Sequence, residues 1–280
     1  MAKKPKPKPK PKPPAVNLKL INSINSETIA RLNNKNPATD RPVYNIQDPH
    51  KKQFIRNPSC WINGVTNISC FSPAQLSGAT WSHRAGTLIT KKHMVYARHF
   101  PISILPGGTP ILFVDENNNV VTRNLVSQAA DANSDLLVGL LDSEVPDNIK
   151  IAPVLPSDFI KYFPTGKSFL VVALDQEEKA ILRLCFSLQD NQFYTGELDE
   201  PWIDPSLSKH SNFCEQIVVG DSGNPCFTII NNQLVLLGCW HSIAYGPHVG
   251  ARYAVVNNLI EQLSPGQNYR LSQVSLDSFR

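Results

Sequence analysis

A serine flanked by glycines is the first feature of the sequence that points to chemistry. It lies in residues 220–225, which read GDSGNP, between the run 216–219 and the apolar stretch 226–230. Glycine on both sides lets the backbone turn tightly, so that the amide N–H groups of Gly220 and Ser222 converge as an oxyanion hole requires. A serine hydroxyl is a weak nucleophile until a neighbouring base takes its proton. The turn therefore predicts a nucleophile whose base comes from elsewhere in the chain.

Seven histidines are candidates for that base. Residues 86–100 read as a strand, a short turn and a second strand, and His99 follows the second strand directly. We therefore expect His99 at a strand end that faces a cleft. His93 starts the same strand, where a large aromatic side chain would pack equally well. The full set is His50, His83, His93, His99, His210, His241 and His248.

A carboxylate buried beside an imidazole holds its tautomer and stabilises the imidazolium that forms when it accepts a proton. Asp135 fits this description, because it directly precedes the apolar run 136–141. The sequence thus predicts a nucleophile, a base and an orienting carboxylate in Ser222, His99 and Asp135. The chain order is histidine, aspartate, serine.

These three motifs resemble the trypsin/chymotrypsin-like serine protease family, as a divergent member of bacterial or viral type. The family's signatures are a strand, turn and strand ending in Ala-Ala-His-Cys, an aspartate before a leucine-rich strand, and Gly-Asp-Ser-Gly-Gly-Pro, in the order found here. The resemblance covers about residues 60–265. Three ordered motifs are more specific than any one of them.

The resemblance implies an all-β fold of two six-stranded antiparallel Greek-key β-barrels with a C-terminal helix. The protease domain would span 59–265, with barrels at about 59–156 and 157–255, followed by an extension at 266–280. The residues agree with this class, because many short apolar runs separated by turn residues indicate an all-β sandwich or barrel. One amphipathic helical stripe, which ends at Pro265 and Gly266, comprises Val256, Leu259, Ile260 and Leu263.

The function implied by the resemblance is a serine endopeptidase with a polypeptide substrate. Ser222 would attack the peptide carbonyl, His99 would transfer the proton, and Asp135 would orient His99. The amides of Gly220 and Ser222 would form the oxyanion hole. No cofactor and no metal are implied. The alternative is a catalytically silent homologue that keeps the fold as a binding module.

Four residues are candidates for substrate binding. Residues 238–240, Gly-Cys-Trp, resemble the Ser-Trp-Gly edge that pairs with the substrate backbone, which assigns Cys239 and Trp240 to that edge. In trypsin the residue six positions before the serine is acidic and selects Lys or Arg, whereas this chain has Gln216 there. We therefore expect a neutral pocket. His241 either lines this pocket and accepts an acidic side chain, or is an ordinary packing histidine.

Two departures from the family bear on the site. The chain has no Arg/Lys-Ile-Val-Gly-Gly activation junction, so Asp221, the residue before the serine, needs a partner other than a new amino terminus. Arg98 replaces the usual alanine before the histidine, and we expect its side chain to point to solvent.

The amino-terminal part of the chain differs from the rest in composition. Residues 1–14 contain a Lys-Pro repeat, which predicts a disordered, extended tail that serves as a spacer or binds an anionic partner. Residues 15–58 read as a polar lead-in with little core of its own and one short helix near 26–32. The first thirty residues show no secretory signal, so we expect a cytoplasmic or non-classically exported protein.

The charge and hydropathy of the sequence argue against two further classes of protein, those that bind nucleic acid through the folded body and those that span a membrane. The net charge of the chain is +4, but residues 13–280 hold 21 basic and 23 acidic groups, a net of −2, so we expect no nucleic-acid site on the body. No apolar run is long enough for a transmembrane segment. The six cysteines allow 15 complete pairings, and their spacing is poor for zinc, so the disulfide state stays open.

Overall fold

The chain folds mainly into antiparallel β-strands, which confirms the β class predicted from its short apolar runs. A computed structural model describes residues 17–83, 86–189, 191–199 and 203–280. In chain order the strands are β1 (Tyr44–Asp48), β2 (Gln53–Arg56), β3 (Ala74–Ser77), β4 (Thr80–Ser82), β5 (Thr87–Leu88), β6 (His93–Ala97), β7 (Thr109–Val114), β8 (Val120–Ala130), β9 (Leu136–Leu141), β10 (Phe169–Leu174), β11 (Ala180–Gln189), β12 (Gln192–Gly196), β13 (Pro225–Ile230), β14 (Gln233–Cys239) and β15 (Tyr245–Pro247).

The first large sheet has the order β4-β3-β7-β8-β9-β6-β5, with every neighbouring pair antiparallel. The segment just before β3 also bonds to the opposite end of this order. The Ser72 amide donates to the Gly86 carbonyl, and the Leu88 amide donates to the Cys70 carbonyl. Because one continuous stretch contacts both ends, the sheet is strongly curled.

The second sheet has the order β14-β13-β10-β11-β12-β15 and is also antiparallel throughout. Its two ends approach each other too, since Gly238 forms a bridge with His248 and the Val249 amide donates to the Leu237 carbonyl. The molecule therefore contains two curled antiparallel sheets. The first has seven strands rather than the expected six, because the three-residue strand β4 extends the edge beside β3.

The helices include one that the sequence located only in part. Helix α1 spans Lys19–Leu32, so it begins well before the expected start near residue 26. Its buried side chains Leu20, Ile21 and Ile24 lie on the face that packs against β10 and β13. The lead-in therefore belongs to the core. Short helical turns are α2 (Pro37–Asp40), α3 (Pro205–Ser208), and 3-10 turns at Phe159–Lys161, Ser211–Phe213 and Asp277–Phe279.

The hairpin of β1 and β2 ties the lead-in to both sheets. The buried Arg56 guanidinium donates to the carbonyls of Val114 and Asp115 at the end of β7. On the other side, the Val43 amide donates to the carbonyl of Glu178, in the turn between β10 and β11. A segment expected to have little core therefore clamps the two sheets together.

The C-terminal helix is confirmed. Helix α4 spans Tyr253–Leu263, and Val256, Leu259 and Ile260 are buried on its inner face. The chain after α4 also packs into the fold, because residues 272–274 exchange backbone hydrogen bonds with Val154. The final 3-10 turn buries Phe279.

The predicted Lys-Pro tail, residues 1–14, lies outside the described residues. Within the described ranges, no helix has both the length and the apolar character needed to cross a bilayer.

His248 is an imidazole held in the core. Its ring lies edge-on to Phe159, with 4.5 Å between ring centroids. Neither ring nitrogen has a hydrogen-bond partner among the described residues. Burial lowers the pKa of His248 to about 3, because the charged form has lost its water.

This pKa makes the stability sensitive to acid. The ordinary pKa of histidine, 6.5, is higher than that of folded His248, so the unfolded chain takes up the proton first as the pH falls. The contribution of His248 to stability is therefore complete above pH 6.5 and is lost as the pH falls. At pH 5 the loss is about 2 kcal/mol. Between pH 7 and pH 5, the free energy of unfolding of His248→Phe and His248→Leu should fall by about 2 kcal/mol less than that of wild type, as measured by urea unfolding.

The matched control is His50→Ala, which removes an exposed histidine and should keep the wild-type pH dependence. Equal losses of unfolding free energy in wild type and both His248 variants would show that the buried His248 imidazole does not cause the acid sensitivity.

Candidate active site

Strand pairing in the first sheet brings His99 and Asp135 to the same edge. Strands β6 and β9 are antiparallel, with Ala97 opposite Leu136. His99 follows the end of β6, and Asp135 directly precedes the start of β9. The Arg98 amide donates to the Asp135 carbonyl at 3.2 Å, which extends the pairing one step beyond the strands. The two side chains are therefore neighbours although 36 positions separate them.

Pairing in the second sheet positions Ser222 in the same way. Strands β13 and β14 place Pro225 opposite Cys239. Beyond this pair, the Gly223 amide donates to the Trp240 carbonyl and the Trp240 amide donates to the Asn224 carbonyl, both at 3.0 Å. Residues 220–225, which we call the serine turn, and the segment after β14 are thus held together at one end of the sheet.

The three predicted side chains form a continuous hydrogen-bonded chain. His99 Nδ1 lies 2.6 Å from Asp135 Oδ2, and the His99 amide donates to Oδ1 at 2.6 Å. His99 Nε2 lies 2.8 Å from Ser222 Oγ. An ionised carboxylate only accepts hydrogen bonds, so Nδ1 carries the proton and Nε2 keeps a lone pair. This arrangement allows Nε2 to take the hydroxyl proton of Ser222.

The accessibility of these groups differs. The Asp135 side chain is 12% exposed, whereas the His99 side chain is 40% exposed. The carboxylate is therefore shielded from water while the imidazole remains open to a bound molecule. Arg98 is exposed and its guanidinium donates to the Asp131 carbonyl at 3.1 Å, so the cation reaches over the neighbouring loop.

The turn around Ser222 has the backbone that its glycines predict. Gly220 has φ +110° and Gly223 has φ +90°, a region that favours glycine. A Cβ on Gly220 would lie 2.3 Å from the side-chain oxygen of Gln176, so a larger residue there would also displace the Gln176 side chain. Within the described residues, neither the Gly220 amide nor the Ser222 amide donates a hydrogen bond. Both N–H groups are available to an oxyanion.

Asp221 finds its partners in backbone amides. Its side chain is fully buried, and its oxygens accept from the Gln176 amide at 2.9 Å and the Val218 amide at 2.8 Å. Burial raises the pKa of Asp221, and these two hydrogen bonds oppose the shift. Gln176 lies in the turn between β10 and β11, so the serine turn is tied to its own sheet without a new amino terminus.

The loop that carries Asp135 is anchored to helix α4. The buried Asp131 carboxylate accepts from Arg252 Nη1 at 2.5 Å, and a second nitrogen of Arg252 donates to the Asn133 carbonyl at 3.1 Å. Burial opposes ionisation of Asp131, but hydrogen bonds from Ser134 and Asn133 and the charge of Arg252 hold its pKa below the ordinary value. The Arg252 amide donates to the carbonyls of His248 and Val249, which pair with β14, so this ion pair connects the Asp135 loop to the second sheet.

Three of the four predicted substrate-binding residues differ from one another in their surroundings. Gln216 is exposed on the segment before the serine turn. Cys239 is buried at the end of β14. Trp240 is buried with its ring 5.3 Å from that of Phe193, and its amide and carbonyl are bonded to the serine turn. The Trp240 backbone is therefore used internally rather than presented to a substrate.

His241 has a position that the sequence did not predict. Its Nδ1 lies 2.7 Å from Asp135 Oδ2, the oxygen that also contacts His99. Its ring lies edge-on to the His99 ring at 5.2 Å between centroids, and 5.2 Å from the ring of Tyr245. Of the two roles left open by the sequence, pocket lining and packing, the structure shows packing against Tyr245, with Nδ1 directed toward the carboxylate. No local sequence pattern signals a contact between residues so far apart in the chain.

A cleft of about 400 Å³ opens on one side of the serine turn. It is lined by Gly220, Gln176 and Phe100 together with residues of the β3–β4 hairpin, including Trp81. A bound chain can therefore extend away from the oxyanion amides on this side.

The cysteines do not compete with Ser222 as nucleophiles. All six are free thiols, and Cys214 is the one that is not fully buried. Burial raises the pKa of both Cys60 and Cys214 to about 11. A thiol with such a pKa forms almost no thiolate at neutral pH, and the thiolate is the reactive form.

The Asp221 contacts generate a stability prediction. Asp221→Asn keeps the shape but turns an amide N–H₂ toward a backbone N–H, so one hydrogen bond is replaced by a clash of donors. We expect a loss of about 1 to 3 kcal/mol in the free energy of unfolding, measured by denaturant titration. The exposed carboxylate of Asp199 supplies the control, since Asp199→Asn should stay close to wild type. An unchanged stability of Asp221→Asn would argue against the buried contacts.

Comparison of the sequence with protein-family models finds no match, and comparison with curated proteins finds none either. The relationship to trypsin-like proteases therefore stays a prediction from the three ordered motifs.

Proposed function

We propose that this protein is a serine endopeptidase that hydrolyses peptide bonds through an acyl-enzyme. The observation that carries the proposal is the pair of contacts made by one imidazole. His99 is 2.6 Å from a shielded carboxylate oxygen through Nδ1 and 2.8 Å from a serine hydroxyl through Nε2. Both distances lie within the reach required for proton transfer.

The proposed reaction begins when Ser222 Oγ attacks the peptide carbonyl carbon and His99 Nε2 takes the hydroxyl proton. The tetrahedral oxyanion is stabilised by the amides of Gly220 and Ser222, and Asp135 stabilises the imidazolium. When the peptide C–N bond breaks, His99 gives its proton to the leaving amine and Ser222 keeps the acyl group. His99 Nε2 then takes a proton from water, whose oxygen attacks the acyl carbonyl carbon. The ester bond to Ser222 Oγ breaks, His99 returns the proton to Oγ, and the acid product leaves.

The support for the oxyanion hole is the shape of the serine turn. The hydrogen bonds from the Gln176 and Val218 amides to Asp221 hold this turn, in which Gly220 and Gly223 have positive φ angles, before substrate binds. Preorganised donors of this kind need no rearrangement as charge develops, which is the main source of their effect on the rate.

We also propose that the two curled sheets are the two barrels of a trypsin-like architecture, with the site at their seam. His99 and Asp135 belong to the first sheet and Ser222 to the second. Each sheet bonds back toward its own opposite end, as in a barrel that is nearly closed.

The proposed substrate is a polypeptide bound across this seam. The cleft beside Gly220 and Phe100 would receive part of the substrate chain. Gln216 offers no negative charge to attract Lys or Arg, and Val219, next to Gly220, is 97% exposed. These neutral neighbours favour a substrate residue without a positive charge.

An active-site-directed fluorophosphonate tests the proposal. The reagent labels only a serine whose proton is removed by a base, so wild type should be labelled and Ser222→Ala should not. Asp135→Asn should slow labelling by about 10⁴-fold, because the neutral amide no longer holds the productive tautomer of His99. Gel fluorescence over time measures the rate.

The control is Ser157→Ala, which removes an exposed serine away from the turn and should label at the wild-type rate. Absence of labelling in folded wild-type protein would favour the catalytically silent binding module. Equal labelling of Ser222→Ala would move the nucleophile to another residue.

A further inference from the structure

Three possible metal ligands meet at one point of the candidate active site. They are the side chains of His99, Asp135 and His241, and one ligand atom from each lies within 4.8 Å of the other two. The carboxylate oxygen lies between the two imidazoles, 2.6 Å from the first and 2.7 Å from the second. The family resemblance implied no metal, and nothing in the sequence places His241 near the other two residues.

The second imidazole, that of His241, has a ring nitrogen whose hydrogen-bonding capacity is not used by the residues that the structure describes. Although His241 Nδ1 is 2.7 Å from Asp135 Oδ2, its direction does not suit a hydrogen bond, and it has no such partner among the described residues. Its ring is held by packing against Tyr245, while its amide donates to the Tyr245 carbonyl at 3.1 Å. A nitrogen held beside a carboxylate without a shared proton is suited to donate its lone pair to a cation.

The distances suit a small divalent ion. Zinc bonds to imidazole nitrogen and carboxylate oxygen at about 2.1 Å, so tetrahedral ligand atoms lie about 3.4 Å apart. The two nitrogens need to move away from Asp135 Oδ2 by less than about 1 Å each to reach that spacing. Two imidazoles with one carboxylate are typical ligands of zinc and similar transition metals, whereas calcium and magnesium prefer oxygen ligands alone.

We propose that His99, Asp135 and His241 bind a divalent transition-metal ion of the Zn²⁺ class, and that this ion reversibly inhibits the site. The inhibitory part rests on the proposed protease function. The three protein ligands leave a fourth position for water.

The inhibition follows from the two nitrogens of His99. In the metal-free site Nδ1 carries the proton and Nε2 holds a lone pair directed to Ser222. When the metal takes the Nδ1 lone pair, a neutral imidazole must carry its proton on Nε2, and exchange with water moves the proton there without net release. Nε2 then donates to Ser222 instead of accepting from it. The serine loses its base while every side chain remains present.

Binding is tested first in a protein that needs no activity. Ser222→Ala keeps all three ligands, and we expect it to bind one Zn²⁺ in calorimetry. Its Co²⁺ complex should show visible absorption without the charge-transfer bands of thiolate ligands. Adding His241→Ala or His241→Gln should weaken binding at least about 100-fold, because even residues that only support a metal ligand are worth about 10- to 100-fold. Adding His50→Ala should leave it unchanged.

Inhibition is tested by fluorophosphonate labelling of the full chain. Zn²⁺ should stop labelling of wild type, a chelator should restore it, and the His50→Ala control should behave like wild type. Each His241 variant is compared with its own metal-free rate, which Zn²⁺ should not change.

The outcomes separate the two proposals. If metal-free wild type is not labelled, the protease proposal fails, and the binding measurement still decides the metal site. Equal Zn²⁺ affinity with and without His241, in folded variants, would overturn the metal site. Tight binding with undiminished labelling would overturn the inhibition.

Discussion

The contact between His99 Nε2 and Ser222 Oγ is the interaction on which the candidate site depends, because it joins two different sheets at 2.8 Å. A hydrogen bond weakens steeply when its atoms are displaced, so the sheets must be held firmly relative to each other. The Asp131–Arg252 ion pair does this near the site. The lead-in hairpin connects the sheets at a second place. The Arg56 guanidinium donates to the Asp115 carbonyl after β7 of the first sheet, and the Val43 amide donates to the Glu178 carbonyl between β10 and β11 of the second.

Two carboxylates divide the work of shaping the site. Asp135 faces imidazole nitrogens, so its charge sets which nitrogen of His99 carries the proton. Asp221 accepts hydrogen bonds from the backbone amides of Gln176 and Val218, and it shapes the turn that presents the oxyanion donors. The Asp135 carboxylate also lies beside the His241 imidazole. The same carboxylate can therefore orient His99 and serve as a potential metal ligand.

The strands and the last helix were predictable because their signals are local. The run at β9 and the stripe of α4 each carry their own periodicity, whatever else the chain does. Helix α1 was found only in part, because its few apolar side chains, such as Leu20 and Ile24, lie among polar residues in a segment interrupted by prolines. Their burial depends on the second sheet, which forms from residues much later in the chain.

For the site, the sequence by itself determined the chemical groups and their order, since Ser222, His99 and Asp135 each stand in a short recognisable motif. It also determined the tight turn, because glycine is the residue that tolerates the backbone angles found there. Tertiary structure alone decided the amide partners of Asp221 and the approach of His241 to the carboxylate. The physical reason is that such contacts join residues distant in the chain, and only the packing of the sheets brings them within bonding distance.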